Sequence, residues 1–462
     1  MNPYWTNGLT TLYRADARAI PLPDASVHCA VTSPPYYGLR RYKGQDERYL
    51  GAEATPEEYL ENLLTCFRGV RRVLRSDGVL WVNLGDTRSG GRGRASAGSK
   101  EQTSVGALDV NPLRNDLSLY GIPERFALAM QADGWVWRDS IVWAKSSAMP
   151  ESVGSTRWER CRVTKWDYAE ENPELRRDKQ PGRKFGVPEV IPCDGCAKCA
   201  GNDGWVLRRG SWRTTHSHEM IYMFVKGSGY YADGDAVKTA QAQSSIDRYR
   251  TPFHPSDGWV DANRTTPQGD RGYLASRGAN RRSVWSDISS EQSRFGHYAV
   301  FPSDLPRICI QASTSEVGVC PTCGNQWARM VEPTPETQAV RDSVSAEAWY
   351  PRPGHDGYGK SNHGFTAGIR TVDWRPTCSC PEAPAVPATV LDPFGGMMTT
   401  CVAAQRLGRR SVGLELSKVY LRLAKERLTA ITLPMVMGGT EALRHLPGKY
   451  AHGNSDTGHE DS

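Results

Sequence analysis

Residues 388–416 have the sequence ATVLDPFGGMMTTCVAAQRLGRRSVGLEL, which sets the architecture predicted for the chain. The apolar start predicts a strand, the glycine pair a tight turn, Cys401–Leu407 a helix, and Ser411–Leu416 a second strand. A glycine turn at a helix N-terminus lets the backbone approach a ligand closely. An acid about twenty positions later, here Glu415, can bind both hydroxyls of a ribose. The stretch therefore favours a nucleoside site over an ordinary strand–helix–strand unit.

A second motif lies near the start of the chain. Val27–Val31 predicts a short buried strand, which stops at Thr32-Ser33-Pro34-Pro35-Tyr36. Two prolines fix the backbone and aim its carbonyls rigidly. A hydroxyl beside such a carbonyl can accept two hydrogen bonds from one amino group, and an aromatic ring offers a stacking surface for a base. Taken alone, these residues favour a plain proline-rich turn over a ligand-binding loop. Open α/β sheets bind ligands at this end of a strand, however, and the position therefore adds weight to the binding loop.

Strands and helices alternate through much of the remaining chain. Glu57–Leu74 carries apolar residues at helical spacing, and Ser76-Asp77-Gly78 is predicted to end this helix. A further helix is predicted at 123–132, and strands are predicted at 79–84, 135–143 and 218–225. This alternation predicts an α/β fold with a Rossmann-like, doubly wound parallel sheet, from which the irregular segments extend as insertions.

Composition permits a nucleic-acid partner and argues against a membrane. The 462 residues carry a formal net charge of +6, and no stretch approaches the roughly 20 apolar residues of a membrane span. The first residues lack the pattern of a signal peptide, so a cytoplasmic location is expected. Cysteines in a reducing compartment rarely form disulfides, so clustered ones are interpreted as metal ligands.

Two cysteine clusters stand out. Cys320 and Cys323, followed by Gly324, form a knuckle with Cys378 and Cys380 across an insertion without periodicity, and four thiolates predict a structural zinc site. The alternative is incidental buried cysteines. A second cluster contains Cys193, Cys196 and Cys199, for which Cys161 is the proposed fourth ligand. The remaining cysteines are predicted to pack in the core, namely Cys29, Cys66, Cys309 and Cys401.

The two motifs together resemble those of the amino-methylating DNA methyltransferases, specifically the circularly permuted β group. In that group the catalytic motif precedes the S-adenosylmethionine motif, as residues 32–36 precede residues 391–396 here. Residues 297–305 resemble the family's segment that covers the methionine end of the cofactor, and residues 413–420 resemble its ribose-binding strand end. Asp16 matches an acidic position near the cofactor's adenine. The resemblance is greatest to methylases of phages and actinobacterial mobile elements.

The resemblance implies a mechanism and a set of site residues. The target base is flipped out of double-stranded DNA and stacks on Tyr36, while the Ser33 hydroxyl and the Pro34 carbonyl accept hydrogen bonds from its amino group. A serine at the first motif position is typical of cytosine-N4 methylation, and the alternative is adenine N6. The implied catalytic residues are Ser33, Pro34, Pro35 and Tyr36. The implied cofactor-binding residues are Asp16, His297, Pro302, Asp392, Phe394, Gly395, Gly396, Thr399 and Glu415.

The chain departs from the family at one position. The family's turn usually has the pattern Phe-x-Gly-x-Gly, and Met398 stands at the last glycine, where a side chain could crowd the cofactor. A rival hypothesis is therefore a zinc-stabilised DNA-binding protein on a catalytically decayed core. Methylation of RNA or of a protein glutamine is a further rival. Enzymes of those classes usually carry asparagine at the first motif position and place the cofactor motif first.

The resemblance also divides the chain. The division gives a catalytic half (1–150), a Cys- and Arg-rich insertion (151–212), a core strand and helix (213–238), a target-recognition loop (239–296), a cofactor-covering segment (297–316), a zinc-knuckle insertion (317–382), a cofactor-binding half (383–432) and a disordered tail (433–462). The insertions at 151–212 and 239–296 are rich in arginine, and the first also in tryptophan, which predicts DNA contact. A homodimer and a cognate restriction endonuclease are further partners compatible with the family.

Overall fold

The computed structural model describes residues 1–38, 41–42, 49–88, 102–103, 118–146, 154–166, 188–210, 212–244, 278–288, 301–335 and 369–431. The chain divides into two compact units, a smaller one of residues 147–217 and a larger one of residues 1–146 and 218–462. None of the helices in the described ranges has the length and apolar character that crossing a membrane requires. The predicted disordered tail lies outside the described residues.

Seventeen strands and five α-helices are present in the described residues. The strands are β1 (Trp5–Thr6), β2 (Thr10–Tyr13), β3 (Val27–Thr32), β4 (Arg41–Tyr42), β5 (Leu74–Leu84), β6 (Gln102–Thr103), β7 (Val136–Ala144), β8 (Arg157–Arg160), β9 (Arg162–Trp166), β10 (Pro188–Pro192), β11 (Trp205–Arg208), β12 (His218–Val225), β13 (Val284–Trp285), β14 (Trp327–Pro333), β15 (Ile369–Pro376), β16 (Thr389–Asp392) and β17 (Arg410–Leu414). The helices are α1 (Pro56–Val73), α2 (Ile122–Ala132), α3 (Asp304–Ser313), α4 (Thr399–Arg406) and α5 (Lys418–Thr429).

Nine strands of the larger unit form one sheet in the order β1-β2-β17-β16-β3-β5-β12-β7-β13. Five neighbouring strands of this sheet are parallel, namely β2, β17, β16, β3 and β5. Strand β12 is antiparallel to both of its neighbours, β5 and β7. The predicted parallel sheet is therefore mostly correct, and β12 is the main departure. The chain between β7 and β12 forms the smaller unit rather than a crossover helix, and strands paired without a crossover run antiparallel.

Helices cover both faces of this sheet. Successive residues of each strand point to opposite sides, so apolar side chains emerge on both faces and each face is buried by helices. On one face, α1 and α2 pack on Ala30 and Leu80, with the rings of Phe67 and Phe126 5.2 Å apart. On the other face, α3 and α4 pack on the alternate residues of β3 and β5. The cysteines predicted for the core, Cys29, Cys66, Cys309 and Cys401, are all buried.

Helix α1 begins as its sequence predicts but ends earlier. The Thr55 hydroxyl accepts a hydrogen bond from the Glu58 N–H (3.1 Å), and Pro56 opens the first turn. The helix stops at Val73, and β5 starts at Leu74, so the prediction that Ser76-Asp77-Gly78 ends the helix is wrong. Leu74 pairs with Val27 on β3, and the register then shifts, which keeps this polar stretch inside the strand.

Two further expectations differ from the structure. The segment 213–238 contains β12 and one 3₁₀ turn, Gly234–Val237, where a strand and a helix were expected. The insertion 317–382 is not without structure in its described part, because β14 and β15 pair antiparallel there. The Arg329 Nε–H on β14 donates to both carboxylate oxygens of the buried Asp233 (2.9 Å each), and this ion pair fixes the β14–β15 pair to the core.

Met398 lies in the turn between β16 and α4 with its backbone in the left-handed region (φ 57°). Its side chain is fully buried in a cluster with Leu12, Val402 and Leu421. A Cβ atom added at Gly395 or at Gly413 would lie 2.2 Å from the Met398 sulfur, so two glycines leave room for this side chain. The methionine that replaces the family's glycine is thus directed into the core.

Replacing Met398 by glycine should destabilise the protein although it restores the family pattern. The glycine relieves left-handed strain of about 1 kcal/mol, but loss of a buried methionine costs about 2–5 kcal/mol. Met398→Ala loses the same packing and keeps the strain. We therefore expect urea midpoints in the order wild type, Met398→Gly, Met398→Ala, from highest to lowest. A glycine variant at least as stable as wild type would contradict the burial argument.

Candidate active site

The two sequence motifs lie side by side at one edge of the sheet. Strands β3 and β16 are parallel neighbours, and Leu391 lies opposite Ala30. At their carboxyl ends the Thr32 hydroxyl donates a hydrogen bond to the Asp392 carboxylate (2.7 Å). The Thr400 hydroxyl donates to the Val31 carbonyl (3.1 Å) from the first turn of α4. The proline loop and the glycine turn therefore start from directly linked strand ends.

Asp392 and Phe394 support the glycine turn from behind. The buried Asp392 carboxylate also accepts a hydrogen bond from the Phe394 N–H (3.1 Å), and burial raises the pKa of Asp392 to about 6. The Phe394 ring packs against the core, 6.3 Å from the ring of Phe67. The Gly395 N–H donates to the Leu414 carbonyl on the neighbouring strand (2.8 Å). These contacts fix the path of the turn.

Gly396 and Glu415 form the open side of the turn. One Glu415 carboxylate oxygen accepts a hydrogen bond from the Gly396 N–H (3.0 Å), and the other accepts one from the Ser417 N–H (2.7 Å). Each oxygen keeps a further lone pair. A Cβ atom at Gly396 would meet nothing within 4 Å, so the space beside this carboxylate is open. Burial raises the pKa of Glu415 to about 7.

The other predicted cofactor residues differ in their surroundings. The Thr399 hydroxyl is buried and accepts a hydrogen bond from Arg427 (3.0 Å), which links α4 to α5. Asp16 follows β2, which β17 separates from β16, and it forms an ion pair with Arg18 (2.9 Å). The Pro302 carbonyl accepts the Leu305 N–H (3.1 Å) at the start of α3. His297 lies outside the described residues.

The proline loop that follows β3 is held by fixed contacts. The Tyr59 hydroxyl, which is buried on α1, donates a hydrogen bond to the Pro35 carbonyl (2.7 Å). A Cβ atom at Gly51 would lie 2.7 Å from the Tyr36 carbonyl oxygen, so only glycine allows this close approach. Ser33 and Pro34 therefore sit in a loop whose carbonyl directions are set by the core.

Tyr36 lies at the centre of a polar network. Its hydroxyl donates a hydrogen bond to Glu219 (2.7 Å), lies 3.2 Å from the Asn83 side-chain oxygen, and is 3.5 Å from the Ser33 hydroxyl. Glu219 also forms an ion pair with Lys145. Burial raises the pKa of Tyr36 well above its usual value, which keeps the phenol neutral. The ring that was predicted to stack on a base is thus fixed in orientation by its hydroxyl.

Sequence reasoning placed Lys145 and Glu219 in stretches that resemble those flanking the family's target-recognition region, and it gave no site role to them or to Asn83. Asn83 lies near the end of β5, Lys145 follows β7, and Glu219 lies at the start of the antiparallel strand β12. An antiparallel strand begins at the edge where its parallel neighbours end, so all three reach the proline loop. The signal that could have identified them is a polar or charged residue at each strand terminus, but it is usable only when the direction of β12 is known.

The structure brings both cysteine sets together. The sulfurs of Cys320, Cys323, Cys378 and Cys380 lie within 4.8 Å of one another, and so do those of Cys161, Cys193, Cys196 and Cys199. Gly324 follows the first pair with a positive φ (73°), and its N–H donates to the Cys320 carbonyl (2.8 Å). Arg75 and His28, near the amino ends of β5 and β3, contact the carbonyls of Cys323 and Gly324. This knuckle rests on the core away from the site.

The basic residues of the insertions are described in part. In the smaller unit, Glu159 pairs with Arg157 (2.6 Å) and Arg208 (3.5 Å), and Arg160 lies 4.4 Å from the ring of Trp205. In the second insertion, Arg281 pairs with Asp287 (2.6 Å). Several of the predicted DNA-contacting residues lie outside the described residues, namely Arg176, Arg177, Lys184, Arg248, Arg250, Arg264, Arg271 and Arg277.

Comparison with known proteins identifies the family. The profile of the N6/N4 family, described as DNA methylase, matches residues 27–320 and 385–426, which is more than half of the chain. The type II methyltransferase M.Cfr9I of Citrobacter freundii is 32% identical over 317 residues, or 68% of this chain and 75% of that protein. M.SmaI of Serratia marcescens is 27% identical over 404 residues, or 87% of this chain and 83% of that protein.

A solved structure of the PvuII DNA methyltransferase, described as cytosine-N4-specific, is also similar. It aligns with 96% of this chain and 92% of its own, with a TM-score of 0.44 and 13% sequence identity. The family profile and the M.Cfr9I match confirm the resemblance to amino-methylating enzymes. The chain therefore belongs to the N6/N4 family of DNA methylases and is an S-adenosylmethionine-dependent DNA amino-methyltransferase.

Proposed function

We propose that this chain methylates the N4 amino group of cytosine in double-stranded DNA. The observation that carries the proposal is the hydrogen bond from Thr32 to Asp392, which holds the Ser33-containing loop beside the open glycine turn. A base bound at the loop and a cofactor bound at the turn would then meet at one edge of the sheet. Such proximity replaces a bimolecular encounter by a positioned one.

The residues of the glycine turn fit S-adenosylmethionine. This cofactor supplies a methyl group on a positively charged sulfur. The lone pairs left on the Glu415 carboxylate can accept the two ribose hydroxyls, and the open space at Gly396 admits the ligand close to the backbone. Asp392, Phe394, Gly395 and Thr399 would act by fixing the turn, as their internal contacts indicate. Contacts from Asp16, His297 and Pro302 remain predictions.

The proline loop would bind the target amino group. After the base leaves the duplex, the Ser33 hydroxyl and the Pro34 carbonyl accept its two amino hydrogens, and the nitrogen lone pair faces the methyl donor. The bound cofactor would supply the methyl group, the amino nitrogen would accept it, and the displaced amino proton would pass to solvent. Acceptors held rigidly where positive charge develops lower the barrier without reorganising. The Tyr59 and Gly51 contacts support this rigidity.

The serine at position 33 favours cytosine N4, and adenine N6 is the alternative with the same geometry. The burial of the Met398 side chain argues against a catalytically decayed core, because that side chain is packed among core residues. We propose further that the β-group permutation applies, that the insertions 151–212 and 239–296 recognise the target sequence, and that a restriction endonuclease recognises the same site. A homodimer, a cytoplasmic location and a phage-like origin remain predictions.

We also propose that Cys320, Cys323, Cys378 and Cys380 bind a structural zinc ion. The tight turn at Gly324 and the convergence of the four sulfurs support this site. Contacts of Arg75 and His28 with the knuckle carbonyls would link the metal to the amino ends of β5 and β3. The metal would therefore brace the sheet and take no part in methyl transfer.

The nature of the product tests the proposed function directly. GC-rich plasmid DNA is incubated with the protein and S-adenosylmethionine, digested to nucleosides and examined by mass spectrometry. We expect N4-methylcytosine, and a rate about 100-fold lower for Ser33→Ala because one positioned acceptor is lost. Unchanged cofactor binding by Ser33→Ala would serve as the folding control. N6-methyladenine would overturn the target, and no methylated base on several DNAs would overturn the activity.

Two substitutions at Tyr36 separate the ring from the hydroxyl. Base stacking is worth about 1–3 kcal/mol, so Tyr36→Ala should lower kcat/KM for DNA roughly 10- to 100-fold. Tyr36→Phe keeps the ring and loses the hydroxyl contacts with Glu219, Asn83 and Ser33, so its kcat/KM should stay much closer to wild type. Equal losses in the two variants would show that the hydroxyl network, and not stacking, carries the effect.

Cofactor affinity should depend on pH through Glu415. The pKa of Glu415 is raised to about 7, so its stabilising effect on the free protein is lost as pH rises through 7, when the buried group becomes charged. Ribose hydroxyls donate better to the charged form, so binding should tighten about tenfold from pH 6 to pH 8. Calorimetry should find this dependence absent in Glu415→Gln and retained in Glu426→Gln, a change at an exposed carboxylate. The same dependence in Glu415→Gln would refute this role.

A further inference from the structure

We propose that Cys161, Cys193, Cys196 and Cys199 bind one zinc ion, and that this ion holds the smaller unit in its fold. The proposal does not depend on methyl transfer. It rests on the spacing of the four sulfurs, on the way the backbone brings them together, and on the burial of side chains in this unit.

The sulfur spacing matches a tetrahedral metal site. Cys196 lies 3.7 Å from both Cys161 and Cys199, and Cys199 lies 4.0 Å from Cys193, measured between sulfurs. Zinc–sulfur bonds of about 2.3 Å in a tetrahedron separate the sulfurs by about 3.8 Å. A disulfide would bring two sulfurs to about 2.05 Å, and all four thiols are free. The cluster is therefore too open for disulfides and has the size of a tetrathiolate site.

Two strand pairs converge on the cluster. Cys161 connects β8 to β9, which pair with β11 and β10 respectively, and Cys193 directly follows β10. The Cys161 N–H donates to the Gly204 carbonyl (2.8 Å), and the Cys193 N–H donates to the Cys161 carbonyl (3.0 Å). The Cys196 N–H donates to the Cys199 sulfur (3.3 Å), which holds these two cysteines in one tight turn. Cys161, which lies 32 positions before Cys193, thus completes the ligand set.

The smaller unit needs a cross-link because residues 154–163, 190–210 and 212–217 form no apolar core. Among residues 154–163, 190–210 and 212–217, only Cys161 and Cys199 are buried. Large apolar side chains in these ranges are exposed instead, and they include Trp158 (50%), Val190 (56%) and Trp212 (71%). Two two-stranded sheets with so little burial are not stable alone, and small units of this kind depend on a metal or disulfides.

Metal binding is balanced in protons and charge. One Zn²⁺ replaces four thiol protons, which are released to solvent, and the site then carries two net negative charges. No oxidant is required, unlike disulfide formation. Because the ion would hold the fold, the exposed tryptophans and arginines of the unit would not be needed for packing and would be available for contact with DNA. This consequence rests on the proposed function.

Metal content of the full-length protein tests the proposal. The protein is purified under reducing conditions and analysed by elemental mass spectrometry and by native mass spectrometry. We expect Cys196→Ser/Cys199→Ser to carry one zinc equivalent fewer than wild type, and the control Cys66→Ala, at a buried core cysteine, to carry the wild-type amount. An equal zinc content in wild type and the double variant, or a Cys161–Cys196 disulfide in the reduced protein, would overturn the proposal.

A second measurement uses the wild-type chain and avoids a variant that fails to fold. Graded chelation should release zinc and expose residues 154–210 to protease, and added Zn²⁺ should restore protection. S-adenosylmethionine binding in the Cys196→Ser/Cys199→Ser variant, measured without chelator so that the Cys320 site keeps its metal, should equal that of wild type, because the cofactor residues lie in the larger unit. Protease resistance that persists after the zinc has left would contradict a fold held by the metal. Failure of methyl transfer with zinc and protection intact would refute only the proposed function.

Discussion

The hydrogen bond between Thr32 and Asp392 is the contact on which the arrangement of the site depends. It joins two residues 360 positions apart, at the ends of adjacent parallel strands. Parallel strands end at one edge, so the sheet brings the two motifs together whatever their order along the chain. Burying a carboxylate for this purpose is unfavourable, as the raised pKa of Asp392 shows, and the Thr32 and Phe394 donors offset that cost.

Rigidity around the site comes from contacts made behind it. Tyr59 fixes the Pro35 carbonyl, and the Phe394 ring is anchored beside Phe67. Met398 fills space that Gly395 in the turn and Gly413 on β17 leave open, so these three residues are matched in size. The functional surface is thereby left to backbone groups and to a few side chains such as Ser33 and Glu415, whose directions the core sets.

Local pattern predicts most of the fold and only part of the site. The glycine turn, the proline loop and α1 are visible in sequence because each depends on neighbouring residues. The end of α1 was misplaced because pairing of Leu74 with Val27, a distant contact, overrides the local turn signal. Glu219 and Lys145 were missed because their approach to Tyr36 requires the direction of β12, which periodicity does not encode.

The smaller unit, which we propose to contact the target DNA, would be stabilised in a different way, by a metal ion. Because only Cys161 and Cys199 are buried among residues 154–163, 190–210 and 212–217, few other side chains in these ranges are constrained by packing. Substitutions among the exposed residues would alter contacts with DNA and leave the architecture intact. Sequence specificity can then diverge between relatives through single mutations, without the compensating changes that a packed core would demand. Four cysteines would thus make this part of the enzyme evolvable, while the catalytic half remains constrained.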